Sequence, residues 1–259
     1  MPKAVLFDLF GTLVHFQEQV PTVEIGGQPW RTTMRWLEPV VRQYLPRCPF
    51  ESFLAALLQV TRELAAQRAP EYLEVPSVVR FRRALAALGI DEAQQAVIAP
   101  RLVEAHMARL ASCTRPDPHA TTVLRSLRNA GYALGVVSNF DHEPTALGIL
   151  DKFGLRSLLD VVVISAGFGR RKPHPAIFRA AIEAVRTDAP ATWFVGDNYE
   201  EDVRGARAVG LKVAWIRSDP SEPQARECEA DVVQIATLAA VPELVVSGSV
   251  FAAGNPPIS

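Results

Sequence analysis

Short apolar runs bounded by turn residues recur along this chain with helical patterns between them, and this alternation is the feature that most limits its fold. Runs of this kind are typical of strands buried on both faces of a sheet. They lie at Ala4 to Phe7, Ala133 to Val137, Val161 to Ile164, Trp193 to Val195 and Val213 to Ile216. Helical patterns at Ala120 to Asn129 and Ala176 to Val185 lie between them. The alternation predicts an α/β fold with a parallel sheet, whose carboxyl strand ends meet at one edge.

The stretch from residue 15 to residue 113 interrupts this alternation. It contains several amphipathic helix patterns and almost no strand pattern, with apolar residues such as Phe53 and Leu57 at helical spacing. Near its start, Gly26-Gly27 separates two short extended pieces and predicts a β-hairpin flap. We therefore expect an α/β core at residues 1–14 and 114–245, an inserted helical domain with an N-terminal flap at 15–113, and a loose tail at 246–259.

The charge balance limits the class of partner. Lys and Arg number 27 against 28 Asp and Glu, a net charge of -1, so no overall field attracts the chain to nucleic acid or an anionic membrane. No apolar run is long enough to span a bilayer, no signal-peptide pattern opens the chain, and the three cysteines form no CxxC pair. We expect a cytoplasmic protein, monomeric or homodimeric, that binds a small molecule.

Acidic residues follow two of the predicted strands. Asp8 comes directly after the first apolar run. A buried carboxylate costs several kcal/mol unless it is paired or binds a metal, so this position favours a nucleophile over a packing role. Asp197 and Asp202 follow a later run near the start of a helix, where oxygen ligands suit Mg²⁺.

Two further polar segments complete the pattern. Ser138 and Asn139 follow the run that ends at Val137, and their hydroxyl and amide groups can hold anionic oxygens. Lys172 lies in a cation-rich loop at a helix start, where a fixed ammonium can balance the charge of a carboxylate and a transferring anion. Each residue alone has an ordinary explanation as a cap, turn or loop residue, but these explanations do not predict the four segments together.

In order and position, the four segments resemble the four motifs of the haloacid dehalogenase superfamily, with a helical cap inserted between the first and second motifs. The resemblance extends from Lys3 to about Val241. It implies a Rossmann-like core in which Asp8 is the catalytic nucleophile and forms a covalent aspartyl intermediate.

The resemblance also implies the ligand set of the site. Thr12, Ser138, Asn139 and Lys172 would bind the transferring phosphate group, and Lys172 would also act in catalysis. Asp8, Asp197, Asp202 and the backbone carbonyl of Phe10 would hold Mg²⁺. The metal and Lys172 let an anionic carboxylate approach an anionic substrate.

Phe10 departs from the phosphatase pattern. Phosphatases of this superfamily usually have a second aspartate two residues after the nucleophile, which serves as general acid for the leaving alkoxide. General acid catalysis contributes about 10²–10⁴-fold in rate. Its loss argues against ordinary sugar-phosphate hydrolysis and is compatible with a labile ester or an acyl phosphate.

Three functions stay open. The leading one is Mg²⁺-dependent hydrolysis of a small phosphate compound. The second is a 2-haloacid dehalogenase, since dehalogenases of the superfamily also lack the acid, usually have tyrosine there, and need no Mg²⁺. Against it, Gly196-Asp197 resembles the metal-binding form, where the dehalogenases carry Ser-Asn. The third is a catalytically weak member that serves in binding or regulation.

Residues of the inserted region can complete the site. His15, Glu18 or Glu24 could replace the missing acid, although a structural role is favoured for His15. Arg31 and Arg35 could recognise an anionic part of the substrate, although an arginine pair on such a helix is more often solvated.

Overall fold

The computed structural model of the chain describes residues 3–17, 22–25, 28–31, 33–217 and 232–247, with the side chains of 22–25, 28–31 and 247 left out. Its strands are β1 (Ala4–Phe7), β2 (Val14–Phe16), β3 (Thr22–Ile25), β4 (Gln28–Arg31), β5 (Thr114–Pro116), β6 (Ala133–Ser138), β7 (Val161–Ile164), β8 (Thr192–Gly196), β9 (Lys212–Ile216) and β10 (Val232–Ile235). Its α-helices are α1 (Glu38–Tyr44), α2 (Phe50–Ala66), α3 (Ser77–Ala87), α4 (Glu92–Ser112), α5 (Ala120–Asn129), α6 (Glu143–Lys152), α7 (Ser165–Phe168), α8 (Pro175–Ala184), α9 (Arg204–Ala208) and α10 (Val241–Ser247).

A parallel sheet forms the centre of the molecule. Six strands pair in the order β10-β9-β8-β1-β6-β7, and every neighbouring pair is parallel. β1 is buried along its whole length, because helices cover both faces of the sheet. The predicted parallel α/β sheet is therefore confirmed, and the carboxyl ends of its strands meet at one edge.

Two apolar cores flank this sheet. On one side α5, α6 and α10 pack against it through residues such as Leu124, Ile149 and Leu244. On the other side α8 and α9 contribute Phe178 and Ala206. Burying a large apolar side chain stabilises a fold by about 1.5–3 kcal/mol, so these two layers fix the strands that carry the polar strand ends.

The region between β1 and α5 forms a separate helical layer. α1 to α4 share their own core, in which Phe53, Leu57 and Phe81 are fully buried. The layer joins the sheet domain through the antiparallel pair β2 and β5, with Val14 opposite Pro116. β3 and β4 form the predicted hairpin, with Thr22 opposite Arg31.

The last helix of the described chain extends into the segment that the sequence assigned to the tail. α10 runs to Ser247 and so includes two residues that the sequence assigned to the tail, because Leu244 and Val245 anchor its apolar face in the core. Residues 248–259 lie outside the described part of the chain. Among the described helices, none combines the length and apolar character that crossing a membrane requires.

Candidate active site

The predicted polar segments meet where neighbouring strands end. Phe7 of β1 pairs with Val136 of β6 on one side and with Val195 of β8 on the other. Asp8 therefore follows the central strand between the ends of β6 and β8, and its backbone N–H donates to the carbonyl of Val195 at 2.9 Å. This register brings the first, second and fourth segments to one edge of the sheet.

A buried ion cluster occupies that edge. Lys172 Nζ donates to Asp8 Oδ1 at 2.5 Å and to Asp202 Oδ1 at 2.6 Å. The side chains of Lys172 and Asp202 are 1% exposed and that of Asp8 is 9% exposed. A carboxylate oxygen of Asp197 lies within 4.8 Å of oxygens from Asp8 and Asp202. We call these four residues the charged cluster.

The charged cluster holds more negative than positive charge. Burial and the nearby Asp202 and Asp197 raise the pKa of Asp8 to about 8, although Lys172 opposes the shift. Burial and Asp202 likewise raise the pKa of Asp197 to about 6. Burial disfavours the charge on Lys172, but Asp202 and Asp8 outweigh it and raise the pKa of Lys172 above its usual range. Three carboxylates facing one ammonium are a donor set that suits a divalent cation with oxygen ligands.

Two glycines allow the carboxylates to approach. A Cβ on Gly11 would collide with the carboxylate of Asp197, and one on Gly196 would collide with that of Asp202. Gly11 also has a φ of +94°, which side-chain-bearing residues rarely adopt. Any larger residue at either position would push the acidic side chains apart, so both glycines are required by the cluster.

Asn139 fixes the loop that carries Lys172. Its side-chain amide donates to the Lys172 carbonyl at 3.0 Å, and its side-chain oxygen accepts from the Lys172 backbone N–H at 2.7 Å. Both hydrogen-bonding groups of Asn139 therefore hold a neighbouring loop. This contact fits a positioning role, which differs from the phosphate-binding role that the sequence predicts.

Thr12 and Ser138 keep their hydroxyl groups without a partner among the described residues. Each residue is 1% exposed, and neither hydroxyl makes a hydrogen bond there. A buried unsatisfied hydroxyl costs about 1–3 kcal/mol. The Thr12 hydroxyl, on the loop after β1, and the Ser138 hydroxyl, at the end of β6, are available to donate to an anionic oxygen of a ligand.

Phe10 belongs to a group of three aromatic rings. Its ring stacks on Phe16 with a centroid distance of 4.8 Å and planes 14° apart, and contacts Phe140 at 4.9 Å. We call these three residues the aromatic cluster. The Phe10 backbone carbonyl accepts no hydrogen bond from the described residues, so it remains available as the oxygen ligand that the sequence predicts.

The suggested replacements for the missing acid are poorly supported. His15 Nε2 is held by Asp117 Oδ2 at 2.9 Å, a contact that ties β2 to the segment after β5. Glu18 lies outside the described residues, and the side chain of Glu24 is not described.

The two arginines suggested for substrate recognition also gain no support. The side chain of Arg31 is not described. Arg35 is exposed in the 3₁₀-helix Thr33–Leu37, and the described residues offer it no ion pair. Among the described contacts, none joins Arg35 to the charged cluster.

Comparison with known proteins gives the family. A model of haloacid dehalogenase-like hydrolases matches residues 2–210. The chain belongs to this family. The match spans the four polar segments and the helical layer, so the family resemblance inferred from the motifs is confirmed.

Relatives within this hydrolase family include phosphatases. Glyceraldehyde 3-phosphate phosphatase of Pyrococcus abyssi is 29% identical over 217 residues, which are 84% of this chain and 82% of that protein. Phosphoglycolate phosphatase of Rhodospirillum rubrum is 30% identical over 221 residues, which are 82% and 78% of the two chains. The crystal structure of a 2-haloacid dehalogenase from Pseudomonas syringae pv. Tomato matches with a TM-score of 0.69 at 22% identity, over 96% of this chain and 100% of that one. That similarity shows the fold alone.

The loop between α2 and α3 contacts residues next to the charged cluster, which the sequence did not indicate. Glu74 on this loop is buried, and its Oε2 accepts from Ser165 Oγ at 2.6 Å and from Arg171 at 3.3 Å. Ser165 Oγ in turn accepts from the backbone N–H of Phe140 at 2.9 Å. Arg171 also contacts Glu201 at 3.2 Å.

This chain of contacts ties the helical layer to the loops around the charged cluster. Arg171 and Glu201 immediately precede Lys172 and Asp202, and Phe140 immediately follows Asn139. The only signal in the sequence was a glutamate among loop residues, and nothing in its pattern distinguishes a buried glutamate from a solvated one.

Proposed function

We propose that this chain is a Mg²⁺-dependent hydrolase of small phosphate compounds with Asp8 as its nucleophile. The observation that carries the proposal is the charged cluster, in which Lys172 binds Asp8 and Asp202 and a third carboxylate, that of Asp197, lies close to both, together with the unpartnered hydroxyls of Thr12 and Ser138. Three carboxylates beside one ammonium leave an excess of negative charge that a divalent cation can balance. The two free hydroxyls can donate to phosphate oxygens. The phosphatase relatives point to the same chemistry.

The reaction begins at Asp8. A carboxylate oxygen of Asp8 forms a bond to phosphorus while the bond to the leaving oxygen breaks, and the leaving group departs with that electron pair. Water then attacks the aspartyl phosphate, which releases inorganic phosphate and restores the carboxylate. Lys172, at 2.5 Å from Asp8 Oδ1, orients the attacking carboxylate and offsets negative charge at the phosphoryl group.

Asp8, Asp197, Asp202 and the Phe10 carbonyl would hold Mg²⁺. When bound, Mg²⁺ neutralises phosphate charge and so reduces repulsion of the Asp8 carboxylate. Thr12 and Ser138 would donate their hydroxyl protons to phosphate oxygens.

The helical layer would serve as the cap over this site. We propose the division at residues 15–113 because β2 and β5 pair at its base and α1 to α4 form a core of their own. A cap of this kind limits access to small molecules, in agreement with a chain whose net charge of -1 gives no general attraction to nucleic acid. The substrate therefore has a phosphate group and a leaving group that fits below the helices.

A second candidate function is dehalogenation of a 2-haloacid, and Phe10 favours it. Halide leaves without a proton, so an aromatic residue in place of an acid does no harm. The three clustered carboxylates favour the phosphatase, because displacement of halide from an uncharged carbon needs no metal. Halide release from 2-chloropropionate in the presence of a chelator would support dehalogenation.

The test of the leading proposal uses acetyl phosphate, whose leaving group needs no general acid. We expect turnover that requires Mg²⁺, stops with a chelator, and is absent in Asp8→Asn. Turnover that persists without metal would overturn the metal requirement. No turnover of any phosphate compound in the wild-type protein would favour the binding or regulatory alternative.

A further inference from the structure

The aromatic cluster lies beside the loops that carry the charged cluster. Phe10 follows Asp8 by two residues and Phe140 follows Ser138 by two residues, so each loop carries a phenylalanine just beyond its polar group. The two rings contact each other at 4.9 Å. The third ring, Phe16, stacks on Phe10 from β2.

This aromatic cluster lies where the sheet domain meets the helical layer. Phe140 packs against the apolar cores of both layers, while Phe10 packs against the core of the sheet domain. Phe16 is 40% exposed. Asp8, Lys172 and Asp202 of the charged cluster are buried. Phe10 and Phe140 lie two residues beyond Asp8 and Ser138, so we expect the rest of a substrate whose phosphate binds there to lie near these rings.

We infer that the leaving group of the substrate carries an aromatic ring, which stacks against the aromatic cluster. The inference rests on the proposed function and adds the substrate class to it. Aromatic pairs with centroids 4.5–7 Å apart gain free energy beyond simple burial, and a partly exposed ring beside two others offers such a surface. The substrate is then an aryl phosphate or an aroyl phosphate.

The chemistry by which the leaving group departs agrees with an aryl or aroyl phosphate substrate. With phenylalanine at position 10, the leaving oxygen departs as an anion, and only groups of low basicity depart readily that way. Phenolates and aromatic carboxylates meet this condition, whereas sugar alkoxides do not. An aromatic leaving group of low basicity therefore meets both conditions, departure without an acid and stacking on the three rings.

The test compares benzoyl phosphate with acetyl phosphate. Both release carboxylates of similar acidity, so the difference between them reports the ring and not the chemistry of departure. We expect kcat/KM for benzoyl phosphate to be at least about tenfold higher in the wild-type protein. Cyclohexanecarbonyl phosphate, apolar but not aromatic, should fall between the two.

A variant pair assigns the preference to the aromatic cluster. Phe16→Leu should reduce the benzoyl-to-acetyl ratio of kcat/KM by about three- to tenfold. Phe168→Leu is the matched control, because Phe168 is 37% exposed and makes no ring contact with the described residues. It should leave both substrates unaffected.

Each outcome decides one claim. Acetyl phosphate turnover that requires Asp8 but shows no preference for benzoyl phosphate would overturn this inference and leave the proposed function intact. A preference that Phe16→Leu does not reduce would also overturn it. Absence of turnover on both compounds would count against the proposed function itself.

Discussion

Asp8 and Phe10 lie two residues apart on one loop, yet the surroundings of their side chains differ completely. Around Asp8 the charged cluster is buried, ion-paired and completed by two free hydroxyls. Around Phe10 lie two further rings, Phe16 and Phe140, and none of the three side chains carries an acidic proton. In the proposed function the charged cluster attacks the phosphorus atom, whereas the aromatic cluster itself has no proton to donate to the leaving group.

In the proposed function, this difference means that the active site keeps the attack step of the reaction and changes the departure of the leaving group. The Lys172 ammonium can hardly be removed, because its loss would leave the buried carboxylates without their positive partner, at a cost of about 3–5 kcal/mol. The residue at position 10 packs against other rings and takes no part in that balance. Variation there is compatible with an intact charged cluster.

Asp8→Asn should produce the largest effect. We expect kcat for acetyl phosphate to fall by about 10⁴-fold or more, as for other nucleophile removals. The fold should survive, because Lys172 keeps Asp202 as its partner at 2.6 Å and the cluster loses a surplus negative charge. The melting temperature should therefore not decrease. Residual activity near the wild-type level in a folded variant would contradict the nucleophile assignment.

Asp197→Asn should weaken Mg²⁺ binding and reduce activity less than Asp8→Asn does. Asp197 contributes an oxygen to the charged cluster but no ion pair to Lys172. We expect the Mg²⁺ concentration for half-maximal activity to rise by at least about tenfold.

Thermal unfolding checks this change independently of activity. Mg²⁺ should raise the melting temperature of the wild-type protein more than that of Asp197→Asn, because a ligand stabilises only the state that binds it. Equal shifts in both proteins would remove Asp197 from the ligand set.

Much of the charged cluster could be read from the sequence, because Asp8 and Asp197 directly follow apolar runs that are easily recognised as strands and Lys172 lies in a cation-rich loop at a helix start. β1 and β7 begin and end where the sequence predicts. β10 was missed because it is an edge strand, and the exposed Gln234 interrupts its apolar pattern. β2 and β5 were missed because three residues are too few to show a period.

The aromatic cluster could not be read in the same way. Phe10, Phe16 and Phe140 are far apart or irregularly spaced along the chain, and only the three-dimensional path of β2 brings Phe16 onto Phe10. Asn139 was assigned to phosphate for a similar reason: a side-chain amide beside a strand end looks the same in sequence whether it binds a ligand or a loop.

Phe10→Asp should test whether the missing acid at position 10 limits turnover. If the charged cluster is intact, an added acid should raise turnover of alkyl phosphates such as glycerol phosphate by about ten- to a hundredfold. Phe10→Asn is the matched control, because it has the same shape but no acidic proton. A folded Phe10→Asp without any gain, or an equal gain in Phe10→Asn, would show that leaving-group protonation does not limit this site.

Glu74→Gln should give the smallest effect and act on both clusters together. Its carboxylate holds Arg171, next to Lys172, and through Ser165 it holds the backbone of Phe140. Loss of a buried charge-assisted hydrogen bond costs about 1.5–3 kcal/mol of stability. We therefore expect a lower melting temperature together with a several-fold decrease in kcat for acetyl and benzoyl phosphate alike.

The neighbouring pair Glu71 and Arg170 provides the control for this prediction. It joins the same two loops at 2.6 Å, but the side chain of Glu71 is 60% exposed. Glu71→Gln should therefore leave kcat and melting temperature as they are, because solvent screens an exposed pair. If Glu74→Gln lowered the melting temperature but not kcat, the buried glutamate would stabilise the contact between the layers without positioning either cluster.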